Sequence, residues 1–436
     1  MKRDLMSDLV AWKASRNRKP LIISGARQTG KTWLMETFGS AHYDRVASID
    51  FTDNERMRLL FSGDFDISRI LSQLSIESNT NIVPEKTLII FDEIQEVPRA
   101  LTALKYFYEK VPEQHIVAAG SLLGVALHED TTFPVGKVDS ITLRPLSFTE
   151  FLDAMGREVL ASAVSEVNFE LLQPLFADEL AGYLKEYLFV GGMPEVVKDY
   201  SEHRDLKEAR RLQANILRDY DRDFSKHIPA RILERARLIW ASIPAQLSRE
   251  NKKFIYGAVR QGARAKDLEE AIQWLVDYGA LVKVPMVSAI RPPLSSYASF
   301  SDFKLFVLDV GLLGALSRLD ASLILQDSAL FTEFKGSLTE QYVGQQLNAH
   351  DFKLHYWSSS TSSNEVDFVV DFKDKAIPIE VKAKESLKSK SLQAARDRFS
   401  LSVSVRTSLS GYRDEGWLVN VPIWAIGSIS TILSEK

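Results

Sequence analysis

Eight residues carry the first chemistry in this chain: Gly25-Ala26-Arg27-Gln28-Thr29-Gly30-Lys31-Thr32. They follow the apolar run Leu21-Ile22-Ile23 and precede a segment, Trp33 to Phe38, whose pattern predicts a helix. Two glycines at this spacing let successive backbone N–H groups turn into one cavity, and the helix start adds the positive end of its dipole. A lysine and a hydroxyl then close the motif, the first suited to phosphate oxygens and the second to Mg²⁺. The ligand implied is ATP with Mg²⁺, held by Gly25 to Trp33, with Lys31 as the catalytic cation and Thr32 as a metal ligand.

A second group completes that chemistry. Lys86-Thr87-Leu88-Ile89-Ile90-Phe91-Asp92-Glu93 reads as a buried parallel strand with two carboxylates at its C-terminal end. Ligands of open α/β sheets bind at such strand ends. Asp92 is expected to hold Mg²⁺, and Glu93 to polarise the attacking water. Ile116 to Ala119 is a further buried strand, expected beside the Asp92 strand, and it ends in Gly120-Ser121. Ser121 could sense the γ-phosphate or its water, or serve only as a small turn residue.

A third constellation lies in the last third. Asn364 to Val370 and Ile377 to Lys382 both alternate apolar and polar residues, as half-buried strands do. A hairpin turning at Lys373-Asp374 sets Asp367 opposite Glu380, with Cβ atoms about 5 Å apart. Two carboxylates that close need a cation or a proton between them, and Mg²⁺ is the natural occupant. Lys382 shares the face of Glu380 and could stabilise developing phosphate charge. A preceding helix, Leu338 to Leu347, offers Glu340 as a further metal ligand. This is a D…E-x-K arrangement suited to metal-dependent phosphodiester cleavage, and also readable as a polar hairpin face in water.

The elements that must position these groups follow a βαβ rhythm. Asp4 to Lys19 predicts a helix, Val46 to Phe51 a strand, Asn54 to Ser75 and Ala100 to Val111 helices. The fold class is therefore α/β: a three-layer ATPase domain over residues 1–160. Residues 161–228 are expected to be a helical lid, broken at Gly191-Gly192-Met193-Pro194, a turn that could also touch nucleotide. Residues 229–290 read as a winged-helix-like domain: helices Pro229 to Ile243 and Asp267 to Tyr278, then a strand Ala280 to Val284. From Lys226 to Lys283 there are eleven Lys or Arg against six Asp or Glu, with Arg249, Lys252, Lys253, Arg260, Arg264 and Lys266 clustered. That stretch could meet a nucleic-acid backbone, DNA or RNA, or another protein. Ile290 to Tyr297, with Pro292-Pro293, reads as a linker to a last domain at 298–436.

Composition bounds the rest. A chain of 436 residues exceeds one ordinary core. With 45% hydrophobic and 26% charged residues it has the balance of a soluble protein. A net charge of −4 gives no global attraction to nucleic acid, and the absence of cysteine excludes disulfides, thiolate zinc sites and thiol nucleophiles. No apolar stretch approaches a membrane span and Met1 to Asp4 shows no signal-peptide core, so the expected compartment is the cytoplasm. Lys137 or Arg144 could act on the phosphate of a neighbouring copy, which makes a homo-oligomer one reading, or be solvated charges.

These motifs, with Leu143-Arg144-Pro145-Leu146-Ser147-Phe148, Phe189 to Pro194, Phe306 to Leu312 and Glu365 to Phe368, give a resemblance over essentially the whole chain. It resembles the bacterial and archaeal ATPases that join an N-terminal AAA-type (AAA_14-like) domain to a C-terminal DUF4143 region. The resemblance implies a PD-(D/E)xK, restriction-endonuclease-like C-terminal domain with Glu340, Asp367, Glu380 and Lys382 as its site. One departure is Gly136-Lys137, where an arginine is more usual. The expected function is an ATPase whose nucleotide cycle controls a nuclease-like domain; the alternatives are an ATP-dependent switch that binds a partner without cutting, and a chaperone-like remodeller of proteins.

Overall fold

The run Leu21–Ser24 forms strand β1, and its neighbours explain why it is so apolar. In the computed structural model, which describes residues 1–121, 123, 133–321, 331–359, 364–383 and 389–436, β1 lies inside a five-stranded sheet. The other strands are β2 (Arg45–Asp50), β3 (Thr87–Asp92), β4 (His115–Ala119) and β5 (Asp139–Thr142). The order is β2-β3-β4-β1-β5 and every pairing is parallel. A parallel sheet must be covered on both faces, so its central strands are apolar throughout. Along β3, Ile89 and Phe91 enter one core with Phe51, Phe61 and Phe107, while Leu88 and Ile90 enter the other with Leu34 and Phe38. The expected three layers are present, and β4 is the neighbour of β3.

The helices of this layer start where side chains cap them. The segment expected as one helix from Asn54 to Ser75 is two, Glu55–Ser62 and Ile67–Glu77. Asn54 accepts from the Met57 N–H and Asp66 from the Arg69 N–H, so each stretch carries its own N-cap around the break at Gly63. Residues Lys2–Arg144 cluster as one unit with Asp277–Ala280.

Residues Pro145–Val276 and Leu281–Lys436 make the other unit. The helices Glu158–Ser165, Phe169–Val190, Pro194–His203 and Leu206–His227, read above as a lid, belong to it. Its hub joins two motifs that are far apart in sequence. The fully buried Asp309 accepts from the Gly192 N–H at 2.6 Å, the Leu312 N–H at 3.0 Å and Gln345 Nε2 at 2.9 Å. Gly191, at φ +76°, leaves no room for a side chain beside that carboxylate. Gly191 is thus explained by packing on Asp309, and Gly192 by the Leu146 carbonyl, which a side chain there would run into.

The sheet of this unit has eight strands: β6 (Leu281–Val287), β7 (Ala298–Val307), β8 (His355–Ser358), β9 (Glu365–Phe372), β10 (Lys375–Val381), β11 (Ser404–Ser408), β12 (Arg413–Asp414) and β13 (Leu418–Pro422). Their order is β12-β13-β11-β10-β9-β8-β6-β7. The helices Ala230–Leu247, Tyr256–Val259 and Ala265–Asp277 precede β6, and β6 pairs antiparallel with β7 as a wing would. Yet β6 also pairs parallel with β8, which makes it an inner strand of the larger sheet. The stretch Ile290 to Tyr297 therefore joins two adjacent strands of one sheet, with Leu294 fully buried and its N–H donating to Asp371. In the β9–β10 hairpin Lys375 pairs with Phe372 and Ile379 with Phe368, the expected register, with Lys373 at φ +53° in the turn.

Candidate functional site

The N-terminal site is built by the loop between β1 and the helix Lys31–His42. Gly25 has φ +144° and a side chain there would run into the Leu143 carbonyl. Gly30, at φ +91°, is the left-handed N-cap of the helix, and Gln28 is left-handed at φ +63°. These turns are what a loop needs to aim its N–H groups inward. Thr29 is fully buried and donates to the Ala26 carbonyl at 2.9 Å. Lys31 is 6% exposed and donates to the carbonyls of Gly25 at 3.0 Å and Ala26 at 2.9 Å. Burial pushes its pKa down to about 8, against the opposing pull of Glu93 and Asp92.

Thr32 and Asp92 come from different elements and meet. The Thr32 hydroxyl donates to Asp92 Oδ2 at 2.6 Å, and the Glu93 N–H donates to Asp92 Oδ1 at 3.0 Å. Burial raises the pKa of Asp92, and the Thr32 bond offsets part of that. Glu93 is held left-handed at φ +49°, a conformation that costs a non-glycine residue roughly 1–2 kcal/mol. That turn takes its carboxylate to Ser121, whose hydroxyl donates to Oε2 at 3.0 Å. Arg27 Nε donates to the same hydroxyl at 3.3 Å. Lys31, Thr32, Asp92, Glu93, Ser121 and Arg27 are therefore one cluster, while Trp33, 40% exposed, lies at its outer edge.

Sequence reasoning missed three members of this neighbourhood. Gln95 donates to Glu93 Oε2 at 2.5 Å, and its own Oε1 is buried without a donor beside Gly120. Arg3, 5% exposed, donates to the carbonyls of Thr29 at 3.0 Å and Arg144 at 2.6 Å, bracing the loop from below. Gly279, at φ +84°, approaches Ala26 closely. Gln95 lies two residues beyond Glu93 in sequence; the other two lie far off. Lys137 pairs with Glu109 at 3.0 Å.

The C-terminal site is organised by lysines. Asp367 accepts from the Val381 N–H at 2.7 Å, and the hairpin pairing runs to Ile379 and Phe368, one residue short of the expected Asp367–Glu380 pair. Lys382 binds Glu380 Oε1 at 2.6 Å, while Glu380 Oε2 is buried with no hydrogen-bond partner among the described residues. Burial, and next Glu340, push Asp367 up to about 7. Glu340, however, is tied on one oxygen to Lys252 and on the other to Lys304 at 2.9 Å. Burial alone would raise its pKa; the two ammonium groups hold it below the usual range. Lys304 is fully buried, also binds Glu365 at 2.6 Å, and lies 4.8 Å from the Tyr356 ring centre. Its burial would lower its pKa, but Glu340, Glu365 and Asp367 raise it. Glu340 thus has protein cations where a metal ion was expected. Among the described residues no three His, Asp or Glu side chains gather to hold a metal.

The basic cluster divides. Lys252 and Lys253 are paired, with Glu340 and Asp302, while Arg249, Arg260, Arg264 and Lys266 are exposed.

Comparison with known proteins assigns the first of these regions. Residues 17–152 match a family model described as an AAA domain, AAA_14. Residues 17–152 carry an AAA domain. The matched AAA domain holds the whole Gly25–Thr32, Asp92, Glu93 and Ser121 cluster. Residues 335–426 match DUF4143 and residues 181–323 match DUF8612, each described as a domain of unknown function. No curated protein matches the chain. A Walker-type ATPase of Pyrococcus abyssi superimposes with a TM-score of 0.43 at 16% identity, over 72% of this chain and 95% of that one. The Aeropyrum pernix ORC1 protein, in complex with DNA, does so with a TM-score of 0.28 at 12% identity, over 72% of this chain and 90% of that one. At these scores the likeness says nothing about activity. Among the described residues no helix is long and apolar enough to cross a membrane.

Proposed function

We propose that the AAA domain hydrolyses ATP with Mg²⁺. The observation that carries this reading is the meeting of Thr32 and Asp92 at 2.6 Å beside a loop whose Gly25 has no room for a side chain. A hydroxyl and a carboxylate so placed are the hard oxygen donors that Mg²⁺ prefers, and Mg²⁺ commonly uses one or two carboxylates plus phosphate oxygens. When bound, the ion supplies positive charge to the phosphoryl oxygens. Lys31 and the loop N–H groups bind phosphate, Glu93 takes a proton from the attacking water, and Ser121 with Gln95 orients the Glu93 carboxylate. The test is steady-state ATP hydrolysis by the full chain. Turnover should require Mg²⁺, stop with a chelator, and fall at least about a hundredfold in Lys31→Ala. Turnover that survives both treatments contradicts the assignment.

For the other unit we propose a nuclease-like module acting on nucleic acid and governed by the ATP cycle. The unpartnered Glu380 Oε2 and the raised pKa of Asp367 support a place for one cation between these carboxylates. Glu340 is not needed for it, since two carboxylates suffice for Mg²⁺. The pairing of Glu340 with Lys252 and Lys304 favours a second reading, a switch that binds a partner without cutting. Incubation of labelled DNA or RNA with Mg²⁺ or Mn²⁺, with and without ATP, separates the two. The nuclease reading expects cleavage that vanishes in Glu380→Ala; nucleotide-dependent binding with no cleavage under any metal leaves the switch.

A further inference from the structure

We infer that the Arg27 side chain is a catalytic residue of ATP hydrolysis, supplying in cis the guanidinium that stabilises charge on the terminal phosphate. The inference rests on the ATP-hydrolysing reading of the AAA domain and adds a side chain that this reading leaves unused.

The observation that carries it is where Arg27 reaches. Its backbone belongs to the phosphate loop, between Ala26 and the left-handed Gln28. Its partly buried side chain turns back toward the end of β4, where Nε donates to Ser121 Oγ at 3.3 Å. The same hydroxyl donates to Glu93 Oε2 at 3.0 Å. β4 pairs with β1, the strand that runs into the loop, so the loop and Ser121 sit at the carboxyl ends of adjacent parallel strands. Open α/β sheets bind their ligands there. The terminal phosphate of ATP must lie between the loop that holds it and the carboxylate that activates its water. Arg27 spans that interval from the loop to the partner of Glu93.

The chemistry needs a cation at that place. The water oxygen bonds to the γ-phosphorus and its proton passes to Glu93. The bond to the β,γ-bridging oxygen breaks, and its electron pair leaves with ADP. Negative charge spreads over the γ-phosphoryl oxygens as this happens. A guanidinium stays charged throughout and carries five N–H donors in a fork that fits phosphate oxygens. At 3.3 Å the bond to Ser121 is long for an N–H···O contact, so exchanging it for a phosphate oxygen costs little. Burial pushes Lys31 down to about 8, Glu93 and Asp92 pull it up, and Arg27 pushes it down again, so both cations act on the same space. Lys137, one of the cations offered above for a neighbouring copy, is paired with Glu109. Arg27 belongs to the chain whose loop holds the phosphate, so no second copy is required.

The test compares the full chain with Arg27→Gln. Glutamine keeps a donor for Ser121 and removes the charge, so a residue that only props Ser121 tolerates the change. The kcat for ATP should fall about 10³-fold or more, with KM within about tenfold of wild type. A second readout needs no turnover: calorimetric affinity for Mg²⁺-ADP with and without aluminium fluoride, which with ADP imitates the transferring phosphoryl group. The fluoride should tighten ADP binding at least about a hundredfold in wild type and less than about threefold in Arg27→Gln. ADP alone should bind both proteins equally, which also shows that the variant is folded. Mixing Arg27→Gln chains with Lys31→Ala chains should restore no activity; restored activity places the guanidinium on a neighbouring copy and overturns the assignment in cis. Hydrolysis within about threefold of wild type in Arg27→Gln, or fluoride tightening that survives the substitution, overturns the role while the ATPase reading stands. Wild type that neither hydrolyses ATP nor gains affinity from the fluoride overturns both.

Discussion

Lys31 and Lys304 are both buried lysines among carboxylates, yet the protein treats their charges in opposite ways. Among the described residues Lys31 donates to two backbone carbonyls, and its pKa falls to about 8 because burial outweighs Glu93 and Asp92. Lys304 binds Glu340 and Glu365 directly, and its pKa rises although it is more deeply buried. A lowered lysine pKa means the fold bears a cost for that charge; a raised one means the charge holds the fold together. The first lysine adds no ion pair to the fold. The second is the internal cation of a network joining β7, β9 and the helix Phe331–Ala349.

Exchanging each lysine for methionine tests that contrast most strongly. Lys304→Met leaves Glu365 and one oxygen of Glu340 without their cation, and breaking such a buried pair costs about 3–5 kcal/mol. Lys31→Met removes a disfavoured charge, so stability should stay within about 1 kcal/mol of wild type or rise. Urea unfolding of both variants checks this; equal losses would erase the distinction.

The smallest expected effect concerns pH and the AAA domain away from its ligand site. His115 is buried, with Tyr43 Oη 2.6 Å from its Nδ1, and burial lowers its pKa to about 4, with Arg18 and Lys13 adding to the shift. The unfolded chain binds that proton near pH 6.5 and the folded one only near 4. Stability is therefore full above about 6.5 and declines as pH falls toward 4. Amide-exchange protection of β3 and β4 should drop over that window, and the drop should shrink in His115→Gln. A window unchanged by the substitution would assign the effect to other groups.

The two regions also differ in how much the sequence discloses. The phosphate loop is legible because its chemistry is local: Gly25, Gly30, Lys31 and Thr32 lie within eight residues, and one strand end supplies Asp92 and Glu93. The hairpin register of Asp367 and Glu380 is local too, fixed by a turn at Lys373. What surrounds them is not. Lys304 and Lys252 reach Glu340 from 36 and 88 residues away, and nothing in an E-x-K triplet signals that the edge strand β7 brings its own cation. The same limit hid the role of β6, which reads as a wing from its preceding helices and hairpin but joins β8 through a parallel pairing of distant residues. Gly191-Gly192 reads as a turn; only the fold reveals Asp309 as its reason.

The central claim is that Glu93 is the base of an ATP-hydrolysing site, and single-turnover hydrolysis by Glu93→Gln tests it most directly. The variant should bind Mg²⁺-ATP as wild type does and cleave it about 10²–10⁴-fold more slowly, so that intact ATP is recovered from the protein. Wild-type cleavage rates in Glu93→Gln, with ATP bound, would contradict the account.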